Sequence, residues 1–203
     1  MAGRPAPLKS GFTLVELLIA CTLLILVLGT VVQILVPAFR VSARTSSRSD
    51  LQRSALMSLN RLRADLENSI APGVVVHAPD AGELLVSIHP VEWIQPDGLL
   101  RWQERLILYQ WRDGVLRRNV YGPAAATAPL RPSADEIRTL LEASNQTVLL
   151  ARDVRELSVQ DAEPAQSGVQ QPFRLFIALD RLVPGRPQPE RVELSRKVYL
   201  RDG

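Results

Sequence analysis

The sequence predicts an α+β fold in which one long N-terminal helix carries an antiparallel β-sheet. Three observations predict it. Residues 17–39 hold no charged side chain, although charges recur throughout the rest of the chain. Leu51, Ala55, Leu59, Leu62, Leu66 and Ile70 then follow at steps of three and four, the repeat of one helical face. From Val74 onward the pattern changes to β-rich runs separated by turn residues. At 203 residues the chain has room for one globular domain and an anchoring segment.

The first element is a polar leader, residues 1–11, carrying Arg4 and Lys9. The uncharged run from Leu17 to Phe39 comes next, and as a helix its length of roughly 35 Å is enough to cross a bilayer. A secretory signal has a shorter apolar core that ends in small residues, where this chain has Pro37 and Phe39. The expected membrane segment spans residues 12–39. One residue does not suit a plain anchor: Glu16 lies at the head of this helix, where an isolated carboxylate is costly and therefore a candidate functional group.

The pattern Gly11-Phe12-Thr13-Leu14-Val15-Glu16, with an apolar helix directly behind it, resembles the prepilin signature. The resemblance implies a type IV pilin-like fold. It also implies cleavage between Gly11 and Phe12 by a prepilin peptidase on the cytoplasmic side, with N-methylation of Phe12. Glu16 then becomes an assembly residue, pairing with the N-terminal ammonium of a neighbouring subunit so that two charges costly in lipid neutralise one another. The arginine count alone favours the inverse topology, because Arg40, Arg44, Arg48 and Arg53 follow the apolar run. A site for a cytoplasmic peptidase overrides that count and sends the C-terminal domain to the periplasm, beyond the inner membrane.

Residues 40–71 are expected to continue the helix amphipathically, with Arg53, Asn60, Arg61, Asp65 and Glu67 off the apolar stripe and Pro72-Gly73 ending it. Gly29-Thr30 and Pro37 mark points for a kink. Arg40, Arg44 and Arg48 form a basic stripe suited to lipid phosphates, to acidic neighbours or simply to solvent.

Residues 72–203 make the β-rich domain. A strand is expected over Glu83–His89, followed by a turn at Pro96–Gly98. A hairpin follows, from Arg105–Trp111 to Val115–Tyr121 around Arg112-Asp113-Gly114. Gly122–Pro132 reads as a surface loop. A short helix over Ser133–Ala143 carries a capping box between Ser133 and Glu136. One further strand lies within Val148–Gln160, then a polar loop over Asp161–Pro172. Phe173–Val183 and Glu190–Leu200 pair around a turn at Pro184–Pro187. The Leu108-Tyr109-Gln110-Trp111 hairpin through Arg117, the Leu149–Leu157 segment and the terminal strand pair resemble the J-type minor pseudopilins of type II secretion. The W-type minor pilins of type IV pili share that layout. Retention of Glu16 separates the chain from K-type tip subunits, which commonly lack that glutamate.

Other function classes leave little trace. Positive charge is nearly all arginine dispersed among carboxylates, which argues against nucleic acid as a partner despite a net charge of +3. His77 and His89 lack ligand spacing, so no metal is expected; Asp153, Asp161 and Glu163 read as loop carboxylates. Phosphate-binding loops, dinucleotide glycines and a nucleophile elbow are all missing from the sequence. Cys21 is the single cysteine and sits inside the apolar run. Trp93, Trp102 and Trp111 suit either a ligand-binding surface or a small core. No catalytic residues and no cofactor are expected. The reading is a minor subunit in the tip or priming complex of a type II secretion pseudopilus. Its partners would be other minor pseudopilins, the major pseudopilin, the prepilin peptidase and, indirectly, the inner-membrane platform protein. The alternatives are a minor pilin of a type IV pilus or DNA-uptake system, and a membrane-anchored periplasmic binding module.

Overall fold

The computed structural model of the chain describes residues 13–94, 99–122, 127–144, 146–160, 172–183 and 187–201. The chain divides into two compact units, Met1–Ser46 and Ser47–Gly203. Helix α1 (Leu14–Glu67) contributes residues to both. It runs uninterrupted through Gly29, Thr30 and Pro37.

In the first unit every described residue is exposed. The polar side chains within this apolar stretch turn inward on their own helix. Thr22 donates its hydroxyl to the carbonyls of Leu18 and Ile19, and Thr30 donates to that of Val27. A helix that satisfies its own hydroxyls suits an environment without water.

The second unit is built around the last turns of α1. Leu51, Ala55, Leu59, Leu62 and Leu66 form one stripe, each at most 1% exposed. The helix ends at Glu67 rather than at Pro72-Gly73, because Ala71–Gly73 folds into a separate 3-10 turn. Ile70 therefore leaves the stripe and packs with Val91 and Trp102. Gly73 is required there, since a Cβ would strike the Trp102 ring, the His89 carbonyl and the Ser69 hydroxyl.

Among the described residues, ten strands follow in three antiparallel sheets, where the sequence pointed to one. The largest has the order β1 (Val74–His77), β2 (Glu83–Ile88), β5 (Leu106–Arg112), β6 (Val115–Tyr121) and β7 (Gln146–Ala151). The second has the order β10 (Glu190–Val198), β9 (Phe173–Arg181) and β8 (Val154–Gln160). β3 (Val91–Ile94) pairs with β4 (Leu100–Trp102). The expected single strand within Val148–Gln160 is thus two strands in different sheets. They are split at Arg152–Asp153, where Asp153 adopts φ 60° and its carboxylate accepts from Arg181 Nε at 2.7 Å.

The β5–β6 hairpin is as expected. Asp113 and Gly114 both have positive φ, 52° and 73°, the pairing that a two-residue turn matched to strand twist demands. α2 (Ala134–Ala143) carries the anticipated capping box: Ser133 Oγ accepts from Glu136 N–H, and the Glu136 carboxylate accepts from Ser133 N–H. Arg138 fastens α2 to Glu83 of β2 and to Asp80 just before that strand, and pairs with Asp135 within α2 itself. The turn expected at Pro96–Gly98 lies outside the described residues, as do Asp161, Glu163 and most of the turn at Pro184–Pro187.

One stripe residue was misplaced by the sequence pattern. Asp65 is buried at 6% exposure, although its spacing suggested the solvent side. Tyr109 Oη donates to Asp65 Oδ2 at 2.6 Å, and Arg118 donates from Nε to the same oxygen at 2.6 Å and from a terminal nitrogen to Oδ1 at 3.3 Å. The carboxylate thereby joins α1 to β5 and β6. Burial, then the Asp65 charge, pushes the Tyr109 hydroxyl far above its usual range. Burial opposes the Arg118 charge, but the Asp65 hydrogen bond and charge outweigh it and raise the guanidinium further.

Candidate functional site

Gly11 and Phe12 lie outside the described residues; the described part of the N-terminal site begins at Thr13. Thr13 precedes the first helical residue, and Glu16 stands three residues on. The Glu16 carboxylate oxygen Oε2 accepts from Thr13 N–H at 3.2 Å and from Thr13 Oγ1 at 3.1 Å. Glu16 N–H donates back to Thr13 Oγ1 at 3.3 Å. These reciprocal bonds form a capping box, and the carboxylate stands in the first turn, where the helix dipole favours negative charge. Glu16 is therefore not isolated in the single chain. Its Thr-x-x-Glu signal, Thr13-Leu14-Val15-Glu16, was legible in the sequence and went unread there.

Behind the cap the helix is long and apolar enough to cross a membrane by length and composition. Residues 7–32 match the family described as "Prokaryotic N-terminal methylation motif". The matched span takes in Gly11, Phe12, Thr13 and Glu16 together with the first part of the apolar run. The motif supports a pilin- or pseudopilin-type protein. With it, the N-terminal apolar helix followed by antiparallel sheets fits a type IV pilin-like fold. The motif implies a substrate of prepilin peptidase that assembles with other pilin-type subunits, and it indicates a structural subunit. No curated protein and no solved structure matches the chain.

The remaining candidates scatter. His89 is fully buried: its Nε2–H donates to the Gln103 carbonyl at 2.7 Å, and its Nδ1 accepts from Leu130 N–H at 3.1 Å. Its ring lies 5.0 Å from that of Trp102. Burial holds the imidazole below its usual pKa, and the Gln103 carbonyl opposes this only in part. His77 Nε2 lies 3.0 Å from the Pro132 carbonyl. Both rings are thus engaged by backbone. Among the described residues no cluster of three or more His, Cys, Asp or Glu could hold a metal ion. The tryptophans do not form one surface: Trp102 is buried, Trp111 packs beside the core with Nε1 donating to the Val154 carbonyl, and Trp93 is 44% exposed.

Proposed function

We propose that the chain is a minor pseudopilin, inserted in the inner membrane through residues 12–39, with residues 72–203 in the periplasm and residues 40–71 leading into them. A prepilin peptidase removes residues 1–11, Phe12 becomes the methylated N-terminus, and the subunit joins the tip or priming complex of a type II secretion pseudopilus. The observation that carries the reading is the Thr13–Glu16 cap at the head of a membrane-length helix, directly behind Gly11-Phe12.

The cap gives Glu16 two successive partners. Before assembly, Thr13 supplies donors to a carboxylate that would otherwise enter lipid unpaired. During assembly the ammonium of a neighbouring subunit's new N-terminus competes for the same oxygen, and a charged donor outbids a neutral amide and hydroxyl. Pairing at a single depth in the bilayer then sets the axial register of neighbouring helices.

Two substitutions separate capping from charge pairing. Glu16→Gln keeps an acceptor for Thr13 but has no charge, whereas Glu16→Leu lacks both. The reading expects both variants to insert and be cleaved, and both to assemble poorly in a deletion strain. Full assembly by Glu16→Gln alone would reduce Glu16 to a helix cap. The same strain distinguishes secretion from piliation: loss of exported protein with pili intact supports a pseudopilin, and the reverse supports a minor pilin.

A further inference from the structure

The free edges of the sheets are guarded unequally. An edge strand carries backbone N–H and C=O groups with no partner strand, and stable proteins cover such edges or set charges along them. β1 is only four residues long, half-buried beyond Val74, and next to the His77–Pro132 contact. β10 carries Arg191, Glu193, Arg196 and Lys197, and β8 carries Arg155 and Glu156. β7 has none of these guards. Its residues, Gln146–Ala151, include no charge, and the first four are exposed, with Val148 at 50% and Leu149 at 45%. Among the described residues it pairs with β6 alone.

Charge supplies a second observation. Arg117 stands opposite Leu149 in the β6–β7 register, and Arg152 directly follows the strand. Both are exposed, and neither has an ion-pair partner among the described residues, whereas Arg138, Arg155, Arg181 and Arg191 all have one. Neither β6 nor β7 contains a carboxylate. Asp153, the nearest in sequence, is held by Arg181.

We infer that the free edge of β7 receives an extended segment of another polypeptide as an added strand, and that this segment alternates apolar residues with carboxylates facing Arg117 and Arg152. The backbone row requires an extended partner. Carboxylates turned to Arg117 share the face of Leu149, and the partner's apolar residues fall on the other face, beside Val148. The unpaired arginines select acidic over basic segments. This surface shares no residue with the N-terminal site and fails or survives independently of the processing reading.

The test uses the full chain purified in detergent with two fluorescent peptides. One alternates valine with glutamate; the other has lysine at every glutamate position. The acidic peptide is expected to bind about ten-fold more tightly or better, and to slow amide exchange within β7. Exchanging both arginines (Arg117→Glu with Arg152→Glu) should reverse the preference, and Val148→Ser should weaken both peptides while the circular dichroism stays unchanged. Equal affinity, no binding, protection outside β7, or a preference untouched by the arginine exchange would overturn the inference. So would dimerisation of the chain through β7 that excludes both peptides.

Discussion

Asp65 is the side chain whose loss should be felt most at the scale of single residues. It holds Tyr109 and Arg118 across a buried contact, and removing one partner of such a pair leaves the other charge without compensation. Asp65→Ala is expected to cost about 3–5 kcal/mol in chemical unfolding, and pairing it with Arg118→Met should recover part of that loss. A second expectation concerns pH. The His89 pKa is lowered in the fold, so the unfolded chain binds the proton first as pH falls. Stability should be intact above about pH 6.5, decline as pH drops through that value towards the folded pKa, and level off below it. A His89→Gln variant should lack this slope when melting is followed across that window. Glu83, held low chiefly by its bond from Arg138, and Glu136, held low by Ser133 N–H, act in a more acidic window. Their stabilisation is lost only as pH falls through their folded pKa values, below 4.5. Neither Asp65 nor His89 was legible from sequence spacing. Arg118 lies 53 residues from Asp65, and the groups that surround the His89 ring come from two separate segments, Trp102-Gln103 and Leu130. Glu16 differs: its cap lies within four consecutive residues, Thr13 to Glu16.

Among the elements, the stripe of α1 was read almost to the residue because helical periodicity is a local property. Leu59→Ala, at 1% exposure, should cost about 2–5 kcal/mol. Met57→Ala, two positions away and 61% exposed, should change stability by less than about 0.5 kcal/mol. Thermal unfolding of the two variants side by side checks the face assignment. The β5–β6 hairpin and the α2 capping box were legible for the same reason, since Asp113-Gly114 and Ser133-x-x-Glu136 carry their conformations in a few residues. The break between β7 and β8 was not. No glycine or proline marks it, only an aspartate at positive φ stabilised by Arg181 from β9. Division into three sheets escaped the sequence too, because strand pairing depends on partners far apart along the chain, such as β6 with β7 across α2.

At the scale of the whole molecule, the two units suit different surroundings. Residues of the Met1–Ser46 unit expose a continuous apolar surface, and the Ser47–Gly203 unit buries its own core of leucine, isoleucine and valine. A pilin-type subunit requires both: a helix that leaves the bilayer to pack against other helices, and a domain that holds its shape while this happens. The central claim is that the chain is made as a precursor and trimmed before assembly. Mass spectrometry of the membrane-bound protein, recovered from cells with and without prepilin peptidase, tests it most directly. The account predicts an N-terminal peptide beginning at methylated Phe12 when the peptidase is present, with Met1 or Ala2 found only when it is absent or when Gly11 is replaced by a bulky residue. An N-terminus upstream of Phe12 in peptidase-competent cells would contradict it.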